Sequence, residues 1–344
     1  MPIALDATYS LGRNPSGVAV YSREILLGLA RAHPQERFLW YFRPHRVLRS
    51  FRDALPRNAS RRILRGVPRA PIFHALNQRV DLTAATPRTV ATFHDLFVLT
   101  SEYSSPEFRA RFAQQARQAA ERSDLIVAVS HFTARQVEDL LGVEPSRIRV
   151  IPHGARAPLH IPPARENLVL MVGAVQKRKN VARLVQAFER MPPGWKLAIA
   201  GSAAGYGAAA ELHAVEQSPR RRDIEVLGYV PAAALEDLYG RARIFAFPSL
   251  DEGFGMPVLD AMARGVPVAT SRRSAIPEVA GDAALLVDPE DVEELAAALN
   301  RLAGDEALRQ DLARRGRERA AEFTWESAVE RTWNVYAELV GRVP

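Results

Sequence analysis

The sequence predicts an α/β protein built from two domains with parallel sheets, and three observations support this fold class. Short apolar runs alternate with amphipathic helical patterns in both halves of the chain. Loops rich in glycine, serine, asparagine or proline follow many of these runs. A proline-containing stretch at residues 155–164 separates the two series and predicts a linker. Strands that alternate with helices form parallel sheets, and the ligands of such sheets lie at the carboxyl ends of the strands.

The first half of the chain begins like a Rossmann-like domain. A strand at residues 1–6 leads through a small-residue loop at 7–17 to a helix at 18–31. The loop does not fit the G-x-G-x-x-G pattern of dinucleotide-binding proteins, which argues against a nicotinamide enzyme. The other elements predicted here are strands at 38–42, 72–75, 89–93, 125–130 and 147–151 and helices at 106–123 and 132–141.

The second half repeats this pattern and ends in helices. Its predicted strands lie at 168–172, 196–200, 224–227, 245–248, 266–270 and 284–287. After the last strand, the pattern predicts helices at 291–303, 306–322 and 326–340, with a break at Phe323-Thr324-Trp325 before the final one. These assignments predict an N-terminal domain of residues 1–160 and a C-terminal domain of residues 161–325.

Composition excludes several classes of protein. With 344 residues, of which 47% are hydrophobic and 25% charged, the chain is long enough for two sizeable cores. The absence of cysteine excludes disulfides, thiol catalysis and cysteine metal ligands, and the histidines lack metal spacing, so no bound metal is expected. The start MPIALDATYS does not fit a signal peptide, and no uncharged apolar run reaches the roughly 20 residues of a membrane span. We therefore expect a cytoplasmic protein.

Positive charge is concentrated in the first half. Residues 1–160 contain 23 arginines, no lysine and 13 acidic residues, for a net charge of +10, whereas residues 161–344 carry −3. Genomic base composition is one explanation of the arginine content, but the asymmetry indicates an anionic partner for the first half. Residues 43–69 hold nine arginines and one acid among apolar residues. They form either an amphipathic basic surface for an anionic membrane or a solvated helix and loop.

Residues 245–270 predict a strand, a sharp loop, a helix and a second strand, and they carry two acids. Pro257 marks the helix start and Gly265 its end. Glu252 lies in the loop run E-G-F-G-M-P, either as a ligand-binding carboxylate or as a solvated loop acid. Asp260 either accepts hydrogen bonds from a ribose diol or is an exposed helix residue near the favourable end of the dipole. The glycines permit close backbone approach and helix N–H groups favour anions, so the loop suits a sugar nucleotide.

Cations and a histidine at other strand ends extend this candidate site. Arg178 and Lys179 follow a strand and Gly173 in a loop, where two cations can bind a diphosphate and stabilise a phosphate leaving group. His94 ends a buried strand and is expected to hydrogen-bond a sugar or the reacting centre; the alternative is a core histidine with the neighbouring aspartate as its partner. Gly17 either lets the backbone approach a ligand or only forms a turn.

Several segments resemble the GT4 glycosyltransferases, which are retaining enzymes of GT-B fold. The segment PSLDEGFGMPVLDAMARGVPVATSRRSAIPEVAGDAALLVDP is similar to their donor-binding region, and further matches follow the family's order in FHDLFVLTSEYSSPEFRARF, SDLIVAVSHFTARQ, LGVEPSRIRVIPHGA, LVLMVGAVQKRKNVARLVQAF and VLGYVPAAALEDLYGRARIFAFPS. The resemblance covers most of the chain. It implies two Rossmann-like domains facing across a cleft, a nucleotide-sugar donor on the second, the acceptor mainly on the first, and a last helix within 326–344 that packs back on the first.

The resemblance also implies roles for individual residues. In the family's E-x7-E motif the first Glu, here Glu252, binds the transferred sugar, and the second, here the shorter Asp260, binds the ribose. The diphosphate-binding Lys of the R-K-N run corresponds to Lys179, and the histidine of the family's H-D pair to His94. The implied catalytic residues are thus His94, Lys179 and Glu252, and the implied donor-binding residues are Gly17, Gly173, Arg178, Lys179, Tyr229, Glu252, Gly253, Phe254, Gly255, Met256, Pro257 and Asp260.

The reaction implied by the resemblance is front-face substitution with retention, without metal or other cofactor. GDP-mannose is favoured as the donor by general likeness to bacterial mannosyltransferases, and UDP- and ADP-hexoses stay open. The expected acceptor is a saccharide or a lipid-linked saccharide of polysaccharide assembly, with peripheral contact to the inner face of an anionic membrane. The alternatives are a GT-B-like sugar-nucleotide epimerase, a phosphorylase, which three lysines disfavour, and a nucleic-acid-binding protein, which lacks a recognition motif.

Overall fold

Two all-parallel sheets organise the chain, as seen in a computed structural model that describes residues 1–11, 16–66, 68–80, 88–156 and 164–341. The predicted α/β class with two parallel-sheet domains is confirmed. Residues 12–15 of the predicted first loop and 157–163 of the predicted linker lie outside the described residues.

Contacts divide the chain into two units close to, but not at, the predicted domain boundary. The chain leaves the first unit after Thr100 for a short segment, and it leaves it again after Gly154 for most of the second unit. The predicted boundary was residue 160. Unit 1 comprises Met1–Thr100, Pro106–Gly154 and Thr324–Pro344, and unit 2 comprises Ser101–Ser105 and Ala155–Phe323.

Unit 1 contains a seven-stranded sheet in the order β3-β2-β1-β4-β5-β6-β7. Its strands are β1 (Pro2–Asp6), β2 (Arg37–Phe42), β3 (Ala59–Ile63), β4 (Ile72–Ala75), β5 (Arg88–Phe93), β6 (Leu125–Ala128) and β7 (Ile148–Val150). Its helices are α1 (Gly17–Ala32), α2 (Pro44–Val47), α3 (Phe97–Thr100), α4 (Pro106–Arg122), α5 (His131–Leu141) and α13 (Trp325–Leu339). Apolar side chains from β4, β5 and β6 pack against α4 and α5 and form the core on one face of this sheet.

Unit 2 contains a six-stranded sheet in the order β10-β9-β8-β11-β12-β13. Its strands are β8 (Glu166–Val172), β9 (Lys196–Ala200), β10 (Ile224–Gly228), β11 (Ala242–Phe247), β12 (Val268–Ser271) and β13 (Leu285–Val287). Its helices are α6 (Val181–Phe188), α7 (Ala208–Gln217), α8 (Ala232–Arg241), α9 (Met256–Ala263), α10 (Ile276–Ala280), α11 (Val292–Gly304) and α12 (Glu306–Ala321). An apolar core of this unit joins β8, β9 and β11 to α6 and α11.

The basic stretch at residues 43–69 contains a strand in addition to the helix and loop predicted for it. It contains α2, a 3₁₀ turn at Leu48–Arg52 and the strand β3. This strand was not predicted, because its sequence has no alternation of apolar and polar residues. β3 lies at the edge of its sheet and pairs only with β2. Charged side chains are typical of edge strands, because they discourage pairing with a further strand.

Each sheet reverses its strand order beside its first strand, between β1 and β4 in unit 1 and between β8 and β11 in unit 2. At such a point the loops that leave the two strands diverge and open a crevice at the carboxyl ends. In unit 2 these are the loops after Val172 and Phe247, which carry most of the predicted donor-site residues. Among the helices in the described part of the chain, none combines the length and apolar character that crossing a membrane requires.

Candidate functional site

The loops that follow β8 and β11 are hydrogen-bonded to each other in unit 2. The Leu250 N–H donates to the Arg178 carbonyl over 2.7 Å, and Asn180 Nδ2 donates to the Pro248 carbonyl over 3.0 Å. A 3₁₀ turn at Lys177–Lys179 ends at Asn180, whose φ of 60° directs the chain into α6. The basic loop and the acidic loop therefore form one rigid edge, as expected for loops at the point where strand order reverses.

Glu252 lies at the centre of this edge, and its two carboxylate oxygens have different environments. Oε1 accepts from Arg178 Nη1 at 2.7 Å, from Ser249 Oγ at 2.6 Å and from Lys179 Nζ. Among the described residues, none donates a hydrogen bond to Oε2. One oxygen is thus used to orient the carboxylate, and the other keeps its acceptor capacity for a ligand hydroxyl.

The cations hold Glu252 in its ionised form. Burial alone would raise the pKa of this carboxyl, since desolvation disfavours the charged state. The charges of Arg178 and Lys179, with the hydrogen bonds from Lys179 and Ser249, outweigh burial and lower the pKa to about 2. The Glu252 side chain is only 10% exposed, and the side chains of Arg178 and Lys179 are 11% and 7% exposed. The alternative of a solvated loop acid is therefore wrong.

The remainder of the acidic loop is fixed by contacts that leave backbone donors at the start of α9. The Glu252 N–H donates to Ser274 Oγ at 3.0 Å, and the phenyl ring of Phe254 packs edge-to-face with Phe323. Within the described residues, no acceptor binds the N–H groups of Gly255 and Met256. These groups sit at a helix N-terminus, where the dipole favours a negative charge.

Gly255 is required at this position for two geometric reasons. Its φ is +111°, in a region that side-chain-bearing residues avoid, and a Cβ atom would lie 2.7 Å from Ile276 Cδ1. The helix then begins with Pro257 in its first turn and ends before Gly265, as predicted. The Pro257 carbonyl accepts from the Tyr239 hydroxyl at 3.4 Å.

Three other predicted donor-site residues occupy different parts of unit 2. Gly173 has a φ of +152°, and a Cβ atom there would approach Lys179 Cε to 3.3 Å, so this glycine makes room for the lysine. Gly253 is buried in the acidic loop. Tyr229 follows the edge strand β10 and is 39% exposed. The structure thus brings Gly173, Arg178, Lys179 and Glu252 into one cluster.

Asp260 is in a buried ion pair, which excludes one of the two interpretations offered for it. The carboxylate lies on α9, is buried, and pairs with Arg156, whose Nε lies 3.2 Å from Oδ2 and whose Nη2 is closer still. The backbone N–H of Arg156 is 3.4 Å from Oδ1, and Arg264 Nη1 lies 3.7 Å from the same oxygen. An exposed helix residue is therefore excluded, and a ribose diol would have to compete with Arg156 for this acceptor.

A second buried ion pair, between Arg264 and Glu236, lies next to the Arg156–Asp260 contact and is hydrogen-bonded to the backbone of both residues. Arg264 pairs with Glu236 through Nε and Nη2, and its Nη1 donates to the carbonyls of Asp260 and Arg156. The guanidinium thereby joins α8, α9 and the segment that enters unit 2 at residue 155. Burying so many charges requires each of them to be paired, and here each has its counter-charge.

His94 lies in unit 1 as a neutral imidazole. Its Nε2 is 3.0 Å from the Leu76 carbonyl, and because a carbonyl can only accept, Nε2 carries the proton and Nδ1 is the acceptor. Burial lowers the pKa of His94 to about 4. The ring packs edge-on against Tyr21 and stacks with His153. In the core-histidine alternative the partner was the neighbouring aspartate, but the actual partner is Leu76.

Gly17, the other residue predicted in unit 1, is the first residue of α1. Ser16 caps this helix by accepting from the Ala19 N–H, and Tyr21, one turn later, contacts the His94 ring. The start of α1 and His94 therefore belong to the same end of the unit 1 sheet, after β1 and β5.

Sequence reasoning missed several residues that shape these sites. Hydrogen bonds from the side chains of Ser249, Ser274 and Asn180 fix the two loops. Arg156 forms an ion pair with Asp260. A signal existed for Ser249, which lies three residues before Glu252 in the same turn, as hydroxyl residues often do in tight loops. No local pattern connects Arg156 with a helix more than one hundred positions later. Within the described residues, no group of three or more potential ligand side chains is placed to hold a metal ion.

Comparison with family profiles divides the chain into two matched regions. Residues 15–156 match the profile described as Glycosyltransferase Family 4, and residues 160–319 match the one described as Glycosyl transferases group 1. The first region lies mostly in unit 1 and the second in unit 2.

Individual relatives include bacterial mannosyltransferases. O-antigen chain mannosyltransferase B of Escherichia coli is 32% identical over 285 residues, which cover 78% of this chain and 74% of that protein. The MMP alpha-(1->4)-mannosyltransferase of Mycolicibacterium hassiacum is 30% identical over 67% of this chain and 58% of its own length.

Solved structures share the fold along the whole chain. Sucrose-phosphate synthase from Thermosynechococcus elongatus is similar with a TM-score of 0.80 and 22% identity over 99% of both chains. Anabaena HepE in complex with UDP and glucose has a TM-score of 0.75 at 16% identity, and covers 98% of this chain and 99% of its own. WaaG, a glycosyltransferase involved in lipopolysaccharide biosynthesis, has a TM-score of 0.73 at 16% identity over 97% of this chain and 99% of that one.

Proposed function

The chain belongs to the family 4 glycosyltransferases and has their GT-B fold, and from this membership we propose that it transfers a hexose from a nucleotide sugar to a saccharide hydroxyl. Glycosyl transfer takes precedence over the epimerase, phosphorylase and nucleic-acid alternatives because the related proteins are glycosyltransferases. The observation that carries the proposal is the state of Glu252, an ionised carboxylate with one oxygen oriented by two cations and the other oxygen open to a ligand.

We assign the donor to unit 2 on physical grounds. A nucleotide sugar combines a diphosphate, which needs positive charge and N–H donors, with sugar hydroxyls, which need acceptors. Arg178, Lys179 and the N–H groups of Gly255 and Met256 meet the first need. Glu252 Oε2 meets the second. The diphosphate of UDP in the HepE complex is an example of such a ligand in a similar fold.

In the proposed reaction, the bond between the anomeric carbon and the diphosphate oxygen breaks while a bond to the acceptor oxygen forms on the same face. The acceptor hydroxyl gives its proton to the departing phosphate, so that configuration is retained and no separate base is needed. Arg178 and Lys179 stabilise the negative charge that develops on the diphosphate. The carboxylate of Glu252 orients the sugar and stabilises positive charge at the oxocarbenium-like carbon. Because the two cations supply the charge, we propose a metal-independent enzyme.

The same proposal extends to the identity of the donor, the class of the acceptor and the location of the enzyme. Mannose from GDP-mannose is favoured because O-antigen chain mannosyltransferase B and the mycobacterial relative are mannosyltransferases by name. An acceptor of polysaccharide assembly follows from the same relatives. We assign this acceptor to unit 1, where His94 Nδ1 is available as a neutral acceptor, and place the enzyme at the cytoplasmic face of the membrane.

The decisive experiment measures donor binding and turnover for a panel of GDP-, UDP- and ADP-hexoses with the wild-type protein and the variants Glu252→Gln and Lys179→Met. Glu252→Gln keeps the shape but loses the charge, and we expect turnover to fall at least about a hundredfold, as for removal of one preorganised electrostatic group. Lys179→Met is expected to weaken nucleotide diphosphate binding as well, since it removes a phosphate-binding charge.

Two controls make the result specific. Glu225→Gln changes an exposed acid on β10 and should leave donor turnover unchanged. Chelation with EDTA should not reduce the wild-type rate if the enzyme works without metal. Wild-type turnover in Glu252→Gln would refute the site, and turnover of no nucleotide sugar in the panel would refute the function.

A further inference from the structure

A chain of buried hydrogen bonds crosses unit 1 from its last helix to its first. His74 Nδ1 on β4 lies 2.6 Å from the hydroxyl of Tyr336 on α13, and His74 Nε2 lies 2.8 Å from Thr92 Oγ1 on β5. The same Thr92 oxygen lies 2.9 Å from the hydroxyl of Tyr21 on α1. Each of these residues is at most 1% exposed. We call the four residues Tyr21, His74, Thr92 and Tyr336 the buried polar chain.

The buried polar chain is uncharged at neutral pH. Burial lowers the pKa of His74 to about 3 and raises the pKa of Tyr21 and of Tyr336. A neutral imidazole has one N–H group and one acceptor nitrogen, so His74 donates to one neighbouring hydroxyl and accepts from the other. Removal of the hydroxyl on either side therefore leaves a nitrogen of His74 without its partner inside the core.

The chain ends against the ring of His94. Tyr21 packs edge-on against this ring, with 4.7 Å between the ring centres and 78° between the planes. Thr92 precedes His94 by two positions at the end of β5, so both side chains point to the face of the sheet that carries α1. His153 stacks with the His94 ring, and the Leu76 carbonyl accepts from its Nε2. The position of the imidazole thus depends on Tyr21, whose hydroxyl is held by Thr92.

Attachment of the last helix does not explain these polar groups. α13 also packs on α1 through apolar side chains, and Gly28 of α1 leaves the space that Val329 of α13 fills. A buried hydroxyl that is hydrogen-bonded contributes little more to stability than an apolar group of the same shape, because its desolvation offsets the bond. What a satisfied polar network adds is a single defined arrangement of the groups around it.

We propose that the buried polar chain positions the imidazole of His94 for the acceptor, and that its four members are positioning residues for glycosyl transfer. The proposal rests on the proposed function, in which His94 Nδ1 accepts a hydrogen bond from the acceptor substrate. Through the hydroxyl of Tyr336, the last helix then contributes to the chemistry of unit 1 as well as to its packing. A chain that only stabilised the core would change the melting temperature and would not act through His94.

The test removes one hydroxyl at a time with little change in side-chain volume, in Tyr21→Phe, Thr92→Val and Tyr336→Phe. Each variant should lower the kcat of hexose transfer about tenfold, because small displacements of a group that orients the substrate are costly in rate. The KM for the donor and the thermal shift caused by GDP or UDP should keep their wild-type values, since the donor is assigned to unit 2. His74 itself is kept, because shortening its side chain would open a cavity in the core.

Two matched controls remove buried hydroxyls that lie outside the chain. Tyr41 belongs to β2 of the same sheet, and its hydroxyl accepts from the Arg69 N–H at 3.3 Å. Thr332 belongs to α13, and its Oγ1 donates to the Ala328 carbonyl at 2.7 Å. Tyr41→Phe and Thr332→Val should have the wild-type kcat, even where they lower the melting temperature.

Combination with His94→Ala separates positioning from stability. Tyr21→Phe should lower kcat about tenfold when His94 is present and no further when it is alanine, because no imidazole is left to position. Tyr336→Phe should likewise add nothing to Thr92→Val, since the chain is already broken at β5. Equal losses from Tyr21→Phe in both backgrounds would overturn the proposal.

NMR of the imidazole nitrogens supplies a readout that does not need turnover. The His94 signals are identified by their absence in His94→Ala, and they should shift in the three chain variants but not in the two controls. If no nucleotide sugar is turned over and the His94 signals shift in this pattern, only the proposed function is refuted. Wild-type kcat in all three chain variants, or His94 signals that none of them moves, would refute the positioning role. The three substitutions lie on three different elements, so a variant that fails to fold leaves the other two to decide.

Discussion

Replacement of Glu252 by glutamine should destabilise unit 2 by an amount that depends on pH. In the folded chain the pKa of this carboxyl is about 2, against a usual value of 4.5. That difference is equivalent to about 3 kcal/mol of stabilisation at neutral pH, because each pKa step corresponds to about 1.4 kcal/mol. This stabilisation comes from the interaction with Arg178 and Lys179, which lose their buried counter-charge in the variant, so the loss at the two cations is part of the same figure.

The sign of the pH dependence follows from the direction of the pKa change. A carboxyl whose pKa is lowered on folding stabilises the protein above its unfolded pKa and loses that contribution as the pH falls through the folded value. The gap between wild type and Glu252→Gln should therefore be about 3 kcal/mol at pH 7, begin to close below about pH 5 and nearly vanish near pH 2.

Hydrogen exchange detected by mass spectrometry is the appropriate assay, since it reports the free energy of opening for peptides from residues 242–263 without requiring the whole chain to unfold in one step. The exposed control Glu225→Gln should give no pH-dependent gap. A gap that is the same at pH 3 and pH 7 would refute the reasoning, because it would mean that packing rather than the charge of Glu252 is lost in the variant.

Three further predictions concern His94, Gly255 and Arg156. Because the pKa of His94 is about 4, His94→Ala should lower transfer without changing the shape of the pH–rate profile between about pH 6 and 8; loss of a limb in that range would contradict the neutral assignment. Gly255→Ala should cost about 1–3 kcal/mol in urea unfolding and reduce donor turnover, because of its positive φ and the nearby isoleucine of α10, whereas Gly304→Ala, with open space around it, should do neither. Arg156→Ala should lower the melting temperature and increase the stabilisation by GDP or UDP relative to wild type, since the carboxylate on α9 becomes available to the ribose; equal ligand-induced shifts would show that the arginine does not compete.

The fold was predictable because most strands and helices have a clear apolar period. The strands β4 and β9 occupy the predicted residues, and most other elements differ by one to three residues at their ends. β3 was missed because its sequence, Ala-Ser-Arg-Arg-Ile, has neither apolar alternation nor a buried face, and it is held by a neighbour on one side only. Such a strand exists because β2 offers a partner, which is a tertiary effect that local propensity does not contain.

The clustering of Glu252 with Arg178 and Lys179 was also predictable, because parallel strands that are neighbours deliver their following loops to the same edge. The different environments of the two Glu252 carboxylate oxygens were not predictable. They depend on Ser249 and both cations converging on Oε1, and no spacing in the sequence distinguishes one oxygen of a carboxylate from the other. Sequence reasoning therefore reached the composition of the site but not its hydrogen bonding.

The two acids that correspond to the E-x7-E motif, Glu252 and Asp260, show why the hydrogen bonding of the site matters for function. Glu252 is surrounded by cations from its own edge of the sheet and keeps one oxygen for a ligand, so its charge is fixed before any ligand arrives. Asp260 receives its cation from Arg156, beside the point where the chain enters unit 2, and both of its oxygens face that arginine. A ligand can add to the first carboxylate, but at the second it must displace the guanidinium of Arg156. Donor binding at Asp260 would consequently break the Arg156–Asp260 ion pair, whereas binding at Glu252 Oε2 would leave the contacts of Arg178 and Lys179 in place.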